Sequence, residues 1–171
     1  MNKLNYIYII IAIGLIHPLY ANGLGESLQN MDTAVQGMLF LSFIIISLGI
    51  FSSGYALSIS LSAYAACEEK NRGAAFIPAV MPGSQGLYSF AISFLMINAM
   101  ADKPMQTALA GIICGLPCLF SALGQAKTAA ACIKSINNQT MNQGQALIAT
   151  GIPELYALTG LAGAFLMLAQ V

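Results

Sequence analysis

The sequence predicts an all-α integral membrane protein whose four transmembrane helices form two tandem helical hairpins. Three observations predict this fold class: 58% of the 171 residues are apolar, only 7% are charged, and the apolar residues gather in four long blocks. Soluble domains carry about 25% charged residues, so this chain lacks the material for a polar surface. Lipid solvates an apolar surface instead. The formal net charge of zero offers no basic face to nucleic acid.

Each apolar block is long enough to cross a bilayer, which takes roughly 20 helical residues. We expect the helices at about residues 33–66, 74–100, 105–133 and 144–169. The connections between them are short. Residues 33–100 therefore form the first predicted hairpin, and residues 105–169 form the second.

Residues 1–21 contain Lys3 and a short apolar run that stops at His17 and Pro18. A charged start, a short apolar stretch and a break are typical of a signal peptide. The cleavage site near Ala21 is weak, because Leu19 is not a small residue. We predict a cleaved signal peptide, and the alternative is a retained extra hydrophobic segment.

The basic residues predict the orientation in the cell membrane. Lys70 and Arg72 flank the first hairpin turn, Lys127 and Lys134 flank the second, and the middle turn holds only Lys103. Cytoplasmic loops carry the excess of Lys and Arg. Both hairpin turns are therefore expected in the cytoplasm, with both termini on the other side.

The two hairpins resemble each other in sequence. Phe51-Ser52 recurs as Phe120-Ser121, and Phe94-Leu95-Met96 recurs as Phe165-Leu166-Met167, at offsets of 69 and 71. Matches in this order indicate a duplicated hairpin. The first and third helices are also rich in small residues, which let backbones approach closely in lipid. This pattern suits a multi-subunit ring, although a compact monomeric bundle is an alternative.

Glu154 is the one acidic residue inside a predicted span, ten residues after Gly144. An ionised carboxylate at that depth costs several kcal/mol unless it is compensated. No Lys or Arg lies deep in a span, so Glu154 is expected to be protonated or bound to a cation. Both states describe an ion carrier, and the alternative is a permanently protonated acid that only bonds a neighbouring helix.

Other polar residues are predicted at a similar depth. Met81, Ser84, Gln85 and Tyr88 share one face of the second helix because they are three or four residues apart, and Gln125 lies on the third helix. Hydroxyl and amide oxygens suit a hard cation such as Na⁺. Pro82 is expected to move Met81 away from helical geometry and expose its carbonyl as a further ligand. Plain interhelical hydrogen bonding is the alternative for the hydroxyl and amides.

The four cysteines have no histidine partners at metal-ligand spacing. We interpret them as small apolar packing residues. They are Cys67, Cys114, Cys118 and Cys132.

Three strings resemble a known family. Met-Pro-Gly-Ser-Gln-Gly-Leu-Tyr at 81–88, Gly-Gln-Ala-Lys at 124–127 and Pro-Glu-Leu-Tyr-Ala-Leu at 153–158 resemble the duplicated proteolipid, the c or K subunit, of vacuolar/archaeal-type ATPases. The resemblance covers about residues 33–170. It is greatest to the Na⁺-translocating branch found in bacteria.

The resemblance implies a Na⁺ site and the residues that form it. The ion ligands implied are Glu154, Gln125, Gln85, the Ser84 hydroxyl and the Met81 backbone carbonyl, with Tyr88 as a supporting donor to the glutamate. Na⁺, or H⁺ at low pH or low Na⁺, is the implied transported ion, and no bound cofactor is expected.

The resemblance also implies the partners. Identical subunits form a ring in the lipid, a stator subunit supplies an essential arginine, and central-stalk subunits contact turns 67–73 and 134–143. ATP is hydrolysed or synthesised in other subunits, since this chain has no phosphate-binding loop. The alternatives are a small four-helix cation/drug antiporter and a non-transporting structural membrane protein.

Overall fold

The computed structural model describes residues 31–169, and all regular structure in that range is helical. The elements in chain order are α1 (Thr33–Ala65), a 3-10 turn (Glu69–Asn71), α2 (Arg72–Val80), a second 3-10 turn (Met81–Gly83), α3 (Ser84–Ala99), α4 (Pro104–Asn137) and α5 (Gln143–Ala169). The predicted signal peptide of residues 1–21 lies outside the described residues.

Four stretches of the described chain are long and apolar enough to cross a membrane. Span 1 is α1, span 2 is Glu69–Ala99, span 3 is α4 and span 4 is α5. The all-helical prediction of four apolar spans is confirmed. The third span is longer than the predicted 105–133, because the helix continues through the polar end of the block to Asn137.

Span 2 is interrupted where the sequence predicted one continuous helix. The α-helix gives way to the tight turn Met81–Gly83 around Pro82, because the proline ring nitrogen has no hydrogen for the α-helical ladder. Met81 nevertheless keeps right-handed helical angles, with φ −54° and ψ −39°. The expectation that Pro82 would move Met81 out of helical geometry is therefore wrong. Pro153 lies inside α5 without ending that helix.

The chain divides into two compact units after Gly37. Within the described part of the first unit, the Asp32 side chain accepts a 3.0 Å hydrogen bond from the Ala34 N–H and so caps the start of α1. The second unit begins at Met38 and contains the rest of α1 and the other three spans.

The third span is the most buried of the four. Half of its most apolar stretch is covered by protein, compared with 17% for span 4. Small residues allow this close packing: a Cβ on Gly115 would lie 2.9 Å from the Ile45 backbone, and one on Gly160 would lie 2.8 Å from the Ile113 carbonyl oxygen. Gly115 of α4 therefore allows close contact with α1, and Gly160 of α5 allows close contact with α4.

Large apolar side chains cover much of the exterior. The exposed phenylalanines include Phe40, Phe51, Phe90, Phe94, Phe120 and Phe165. Exposed apolar area on this scale marks a surface that contacts lipid or other protein chains. The exterior therefore agrees with a multi-pass membrane protein that has neighbours.

At the hairpin-turn end, Asn137 joins the first turn to the end of α4. Its side-chain oxygen accepts a 2.8 Å bond from the Glu68 N–H, and its backbone carbonyl accepts a 3.3 Å bond from the Asn71 amide. The ion pair in this region, Lys70 with Glu68, lies on the surface.

Matched hydrogen bonds relate the two hairpins. Ser53 donates to the Pro82 carbonyl at 2.6 Å in the first hairpin, and Ser121 donates to the Pro153 carbonyl at 2.5 Å in the second. The two proline carbonyls are 71 residues apart, which is one of the two sequence offsets. The bonds relate Ser121 to Ser53 and not to Ser52, so the register of the odd-numbered spans differs by one residue from the sequence match. This shared geometry supports the interpretation of a duplicated hairpin.

Candidate functional site

Glu154 lies on α5 with a neutral donor at each carboxylate oxygen. The Tyr88 hydroxyl on α3 donates to Oε1 at 2.6 Å. The Gln125 amide on α4 approaches Oε2 at 3.4 Å. Glu154 itself is half-buried. Side chains from three helices therefore meet at this one acid.

The sequence spacing explains why these side chains converge. Residues three or four apart lie on the same face of a helix. Gln85 and Tyr88 are on the face of span 2 that meets α4 and α5, and Glu154 follows Thr150 by one turn on α5. The structure thus brings together Gln85, Gln125, Tyr88 and Glu154, and their role as a shared ion site stays a prediction.

A chain of hydrogen bonds connects the two glutamines to backbone carbonyls. The Gln125 amide donates to the Thr150 carbonyl at 2.7 Å, and its side-chain oxygen accepts from the Gln85 amide at 2.5 Å. The Gln85 amide also approaches the Ser121 hydroxyl oxygen at 3.4 Å. Both glutamines are fully buried. Their side chains are therefore held by fixed partners.

The side-chain oxygen of Gln85 is left without a hydrogen-bond donor although it is buried. Among the described residues, two other buried side-chain atoms share this condition, the hydroxyls of Ser89 and Thr107. An unpaired buried acceptor costs about 1–3 kcal/mol, so native proteins rarely retain one without a ligand or water. This oxygen fits the ligand role that a cation site requires.

Ser84 and the Met81 carbonyl lie together one turn before Gln85 and Tyr88. The Ser84 hydroxyl donates to the Met81 carbonyl at 2.9 Å. The Thr150 hydroxyl, which donates its hydrogen to the Ala146 carbonyl at 2.7 Å, lies 3.1 Å from the Met81 sulfur, and this contact places the turn of span 2 beside α5. The Met81 carbonyl therefore already accepts a hydrogen bond within span 2, and Pro82 does not leave it without a donor.

No positive side chain neutralises Glu154 in the described part of the chain. The ion pair found there lies in the first hairpin turn. Residues 31–169 also contain no group of three or more His, Cys, Asp or Glu residues that could hold a metal ion. The site therefore offers one carboxylate surrounded by neutral oxygen and nitrogen groups, which suits a monovalent hard cation or a proton.

The first hairpin carries an apolar version of this site. By the register of the matched hydrogen bonds, Leu57 corresponds to Gln125, and Gly83 corresponds to Glu154. A Cβ on Gly83 would lie 3.1 Å from the Leu57 side chain, so leucine occupies the space there. The duplicated chain thus has one carboxylate position in four spans.

Two residues of the network were not predicted as members of the site. Ser121 links Gln85 to Pro153, and Thr150 links Gln125 to Met81. The signal was their spacing, since Ser121 precedes Gln125 and Thr150 precedes Glu154 by four residues. Spacing alone did not distinguish them from ordinary small residues.

Comparisons with known proteins identify a family and two similar proteins. The family described as the ATP synthase C subunit matches residues 108–167. The chain is 32% identical to the V-type sodium ATPase subunit K of Enterococcus hirae over 142 residues, which cover 77% of this chain and 91% of that protein. It is 32% identical to the A-type ATP synthase subunit K of Methanocaldococcus jannaschii over 106 residues, which cover 61% of this chain and 48% of that protein.

Proposed function

This chain belongs to the duplicated proteolipid family of V- and A-type ATPases, and we propose that it carries Na⁺ across the membrane by reversible binding at Glu154. A rotor proteolipid is a multi-pass membrane component of an oligomeric ring and does not carry the catalytic site of its complex. The antiporter and structural alternatives do not account for this relationship.

The buried Gln85 oxygen carries the assignment of Na⁺. A site built only for a proton needs a carboxylate and a donor that holds this carboxylate in place. Glu154 and the Tyr88 hydroxyl that donates to it already provide both. A buried amide oxygen with no donor adds nothing to such a site. Hard cations take oxygen ligands, so we assign Gln85, Gln125, Ser84 and the Met81 carbonyl to Na⁺ together with Glu154.

The ligand set explains how a charged ion can face lipid. One Na⁺ neutralises the one carboxylate, and the remaining ligands are neutral dipoles. An empty, ionised Glu154 would cost several kcal/mol in the bilayer interior. At low pH or low Na⁺, a proton on Glu154 meets the same requirement, so the same site carries H⁺ under those conditions.

The requirement that Glu154 be neutral while it faces lipid couples ion transfer to rotation. Glu154 loads an ion from an access path in the stator and then moves through lipid in its neutral form. The emptied carboxylate requires a positive partner, which an arginine of the stator supplies. Rotation driven by ATP hydrolysis in other subunits then moves the ions, and reverse ion flow drives synthesis.

The hairpin turns provide the contact with the rest of the motor. We assign turns 67–73 and 134–143 to the cytoplasm and to the central-stalk subunits, with both termini on the opposite side. The excess of basic residues at these turns supports this orientation. Asn137 ties the two turn regions together, which suits a surface that transmits torque.

The proposal is tested by measuring equilibrium binding of radioactive Na⁺ to the purified ring. We expect one Na⁺ per chain in the wild type and none in Glu154→Gln, which removes the charge at nearly constant shape. Asp102→Asn changes an exposed acid between α3 and α4 and is expected to bind normally. The native mass of each ring confirms that assembly is unchanged.

Transport in sealed vesicles completes the test. Glu154→Gln rings assembled with their complex are expected to transport no Na⁺. Full Na⁺ binding or transport by Glu154→Gln would contradict the proposal.

A further inference from the structure

Ser121 occupies a position in the hydrogen-bond network that fixes the direction of its bond with Gln85. Its hydroxyl donates to the Pro153 carbonyl at 2.5 Å. A serine hydroxyl has one hydrogen, so toward Gln85 it can only accept. Ser121 is 7% exposed, and water therefore has little access to replace either bond.

At the other end of the network, a backbone carbonyl again fixes the direction of a hydrogen bond. The Thr150 carbonyl accepts from the Gln125 amide at 2.7 Å, so the Gln125 oxygen is directed to Gln85. Gln85 thus meets an oxygen acceptor on each side, Gln125 and Ser121. Its amide group has two hydrogens and both are used. The one group left over is its side-chain oxygen, the buried atom without a partner.

We infer that Ser121 is a positioning residue for Na⁺ binding, which holds the Gln85 amide so that its oxygen remains available to the ion. This inference rests on the proposed Na⁺ site. A reversed Gln85 amide would set its oxygen against the Gln125 and Ser121 oxygens and would point hydrogen atoms at the cation. Ser121 opposes this reversal without touching the ion.

The first hairpin supplies a matched control. Ser53 makes the same bond to a proline carbonyl, at 2.6 Å to Pro82. Its region of the fold has Leu57 and Gly83 in place of the polar pair of the second hairpin. Removing the Ser53 hydroxyl therefore removes an equivalent bond to a proline carbonyl, here in the turn that carries Met81, and no bond to the Gln85 amide.

The expected size of the change in Na⁺ affinity is taken from residues that hold metal ligands in place in other proteins. Loss of such a residue typically weakens metal affinity by about 10- to 100-fold. Ser121→Ala is therefore expected to raise the Kd for Na⁺ by about 10- to 100-fold. Ser53→Ala is expected to change it by less than about threefold. Ser121→Thr keeps the hydroxyl, and Ser121 lines a groove of about 520 Å³ that is large enough for an added methyl, so this variant is expected to restore binding.

The experiment is equilibrium binding of radioactive Na⁺ to purified rings of the wild type and these three variants, with native mass measured for each. A rise in Kd in Ser121→Ala alone, reversed in Ser121→Thr, supports the inference. Equal Kd values for Ser121→Ala and Ser53→Ala would overturn it and leave the proposed function intact. Absence of Na⁺ binding by the wild-type ring would instead overturn the proposed function and this inference with it.

Discussion

Removal of the Tyr88 hydroxyl is expected to weaken Na⁺ binding without disturbing the fold. The hydroxyl donates to Glu154 Oε1 at 2.6 Å, and the aromatic ring packs against the core cluster that includes Ile92 and Cys118. Tyr88→Phe removes the oxygen and keeps the ring. The carboxylate oxygen that faces Tyr88 then has no partner in a closed site.

The magnitude follows from the charge of the acceptor. Hydrogen bonds to charged groups contribute about 1.5–3 kcal/mol. With about 1.4 kcal/mol for each factor of ten, the Kd for Na⁺ is expected to rise by roughly 10- to 150-fold. The upper end of this range, about 150-fold, applies if the substitution destabilises only the Na⁺-bound state. This is the case if water replaces the lost hydrogen bond when Glu154 carries no ion.

The assay is a titration of Na⁺ binding to the purified ring, followed calorimetrically. Tyr156→Phe is the matched control, because Tyr156 lies two residues after Glu154 and is 67% exposed. It is expected to bind Na⁺ as the wild type does. Equal Kd values for Tyr88→Phe and Tyr156→Phe would refute the assignment of Tyr88 as a support for the ion-loaded carboxylate.

Three further predictions concern packing and the turn region. Gly115→Ala is expected to destabilise the protein by about 1–3 kcal/mol, because the new Cβ would meet the Ile45 backbone. Gly124→Ala on the same helix has open space and serves as the control. Equal melting temperatures of the two variants in detergent would contradict this prediction. Asn137→Ala is expected to speed hydrogen exchange at the Glu68 backbone amide, because it removes the side-chain acceptor of that N–H, a bond of about 1 kcal/mol. Asn98→Ala removes a bond within its own helix and is expected to leave exchange at Glu68 unchanged. The four cysteines are free and buried, so none should react with a maleimide before unfolding, and rapid labelling of the native protein would refute the packing interpretation.

Composition was sufficient to predict the fold class, because a chain with 7% charged residues has few ways to fold outside lipid. Local geometry was harder to predict. Pro82 was expected to displace Met81 from helical angles, but tightening to a 3-10 turn accommodates the missing N–H while the angles stay helical. Pro153 is tolerated within α5, where α4 side chains bond the carbonyls of Thr150 and Pro153. The sequence does not show whether a proline will tighten the helix to a 3-10 turn, as at Pro82, or lie within a continuous α-helix, as at Pro153.

The candidate site was predictable where its residues are chemically unusual for a membrane span. A single acid and two glutamines stand out among apolar residues, and helical spacing placed Gln85 and Tyr88 together. Ser121 and Thr150 were not predicted, because serine and threonine are common in packed spans and bond their own helix. The role of Ser121 depends on the Pro153 carbonyl opposite it, and that of Thr150 depends on the Gln125 amide that its own carbonyl meets. Only the packing of α4 against α5 determines both contacts.

The packing also clarifies why a duplicated chain has one ion position. The first hairpin retains the serine-to-proline bond but fills the remaining space with Leu57 against Gly83. An apolar contact there avoids the cost of a second buried carboxylate. The two hairpins thus share a scaffold and differ in the pair of residues that we propose to bind the ion, Gln125 and Glu154 in the second hairpin.

The most direct test of the Na⁺ site is carbodiimide labelling of the purified ring, read by mass spectrometry, with and without Na⁺ across a range of pH. The reagent attacks a protonated carboxyl group in an apolar site. We predict labelling at Glu154 that Na⁺ suppresses, while choline at the same ionic strength does not. Labelling at Glu154 that follows pH and ignores Na⁺ would contradict the Na⁺ assignment and indicate a proton-carrying ring, and absence of labelling at Glu154 under every condition would contradict its role as the ion carrier.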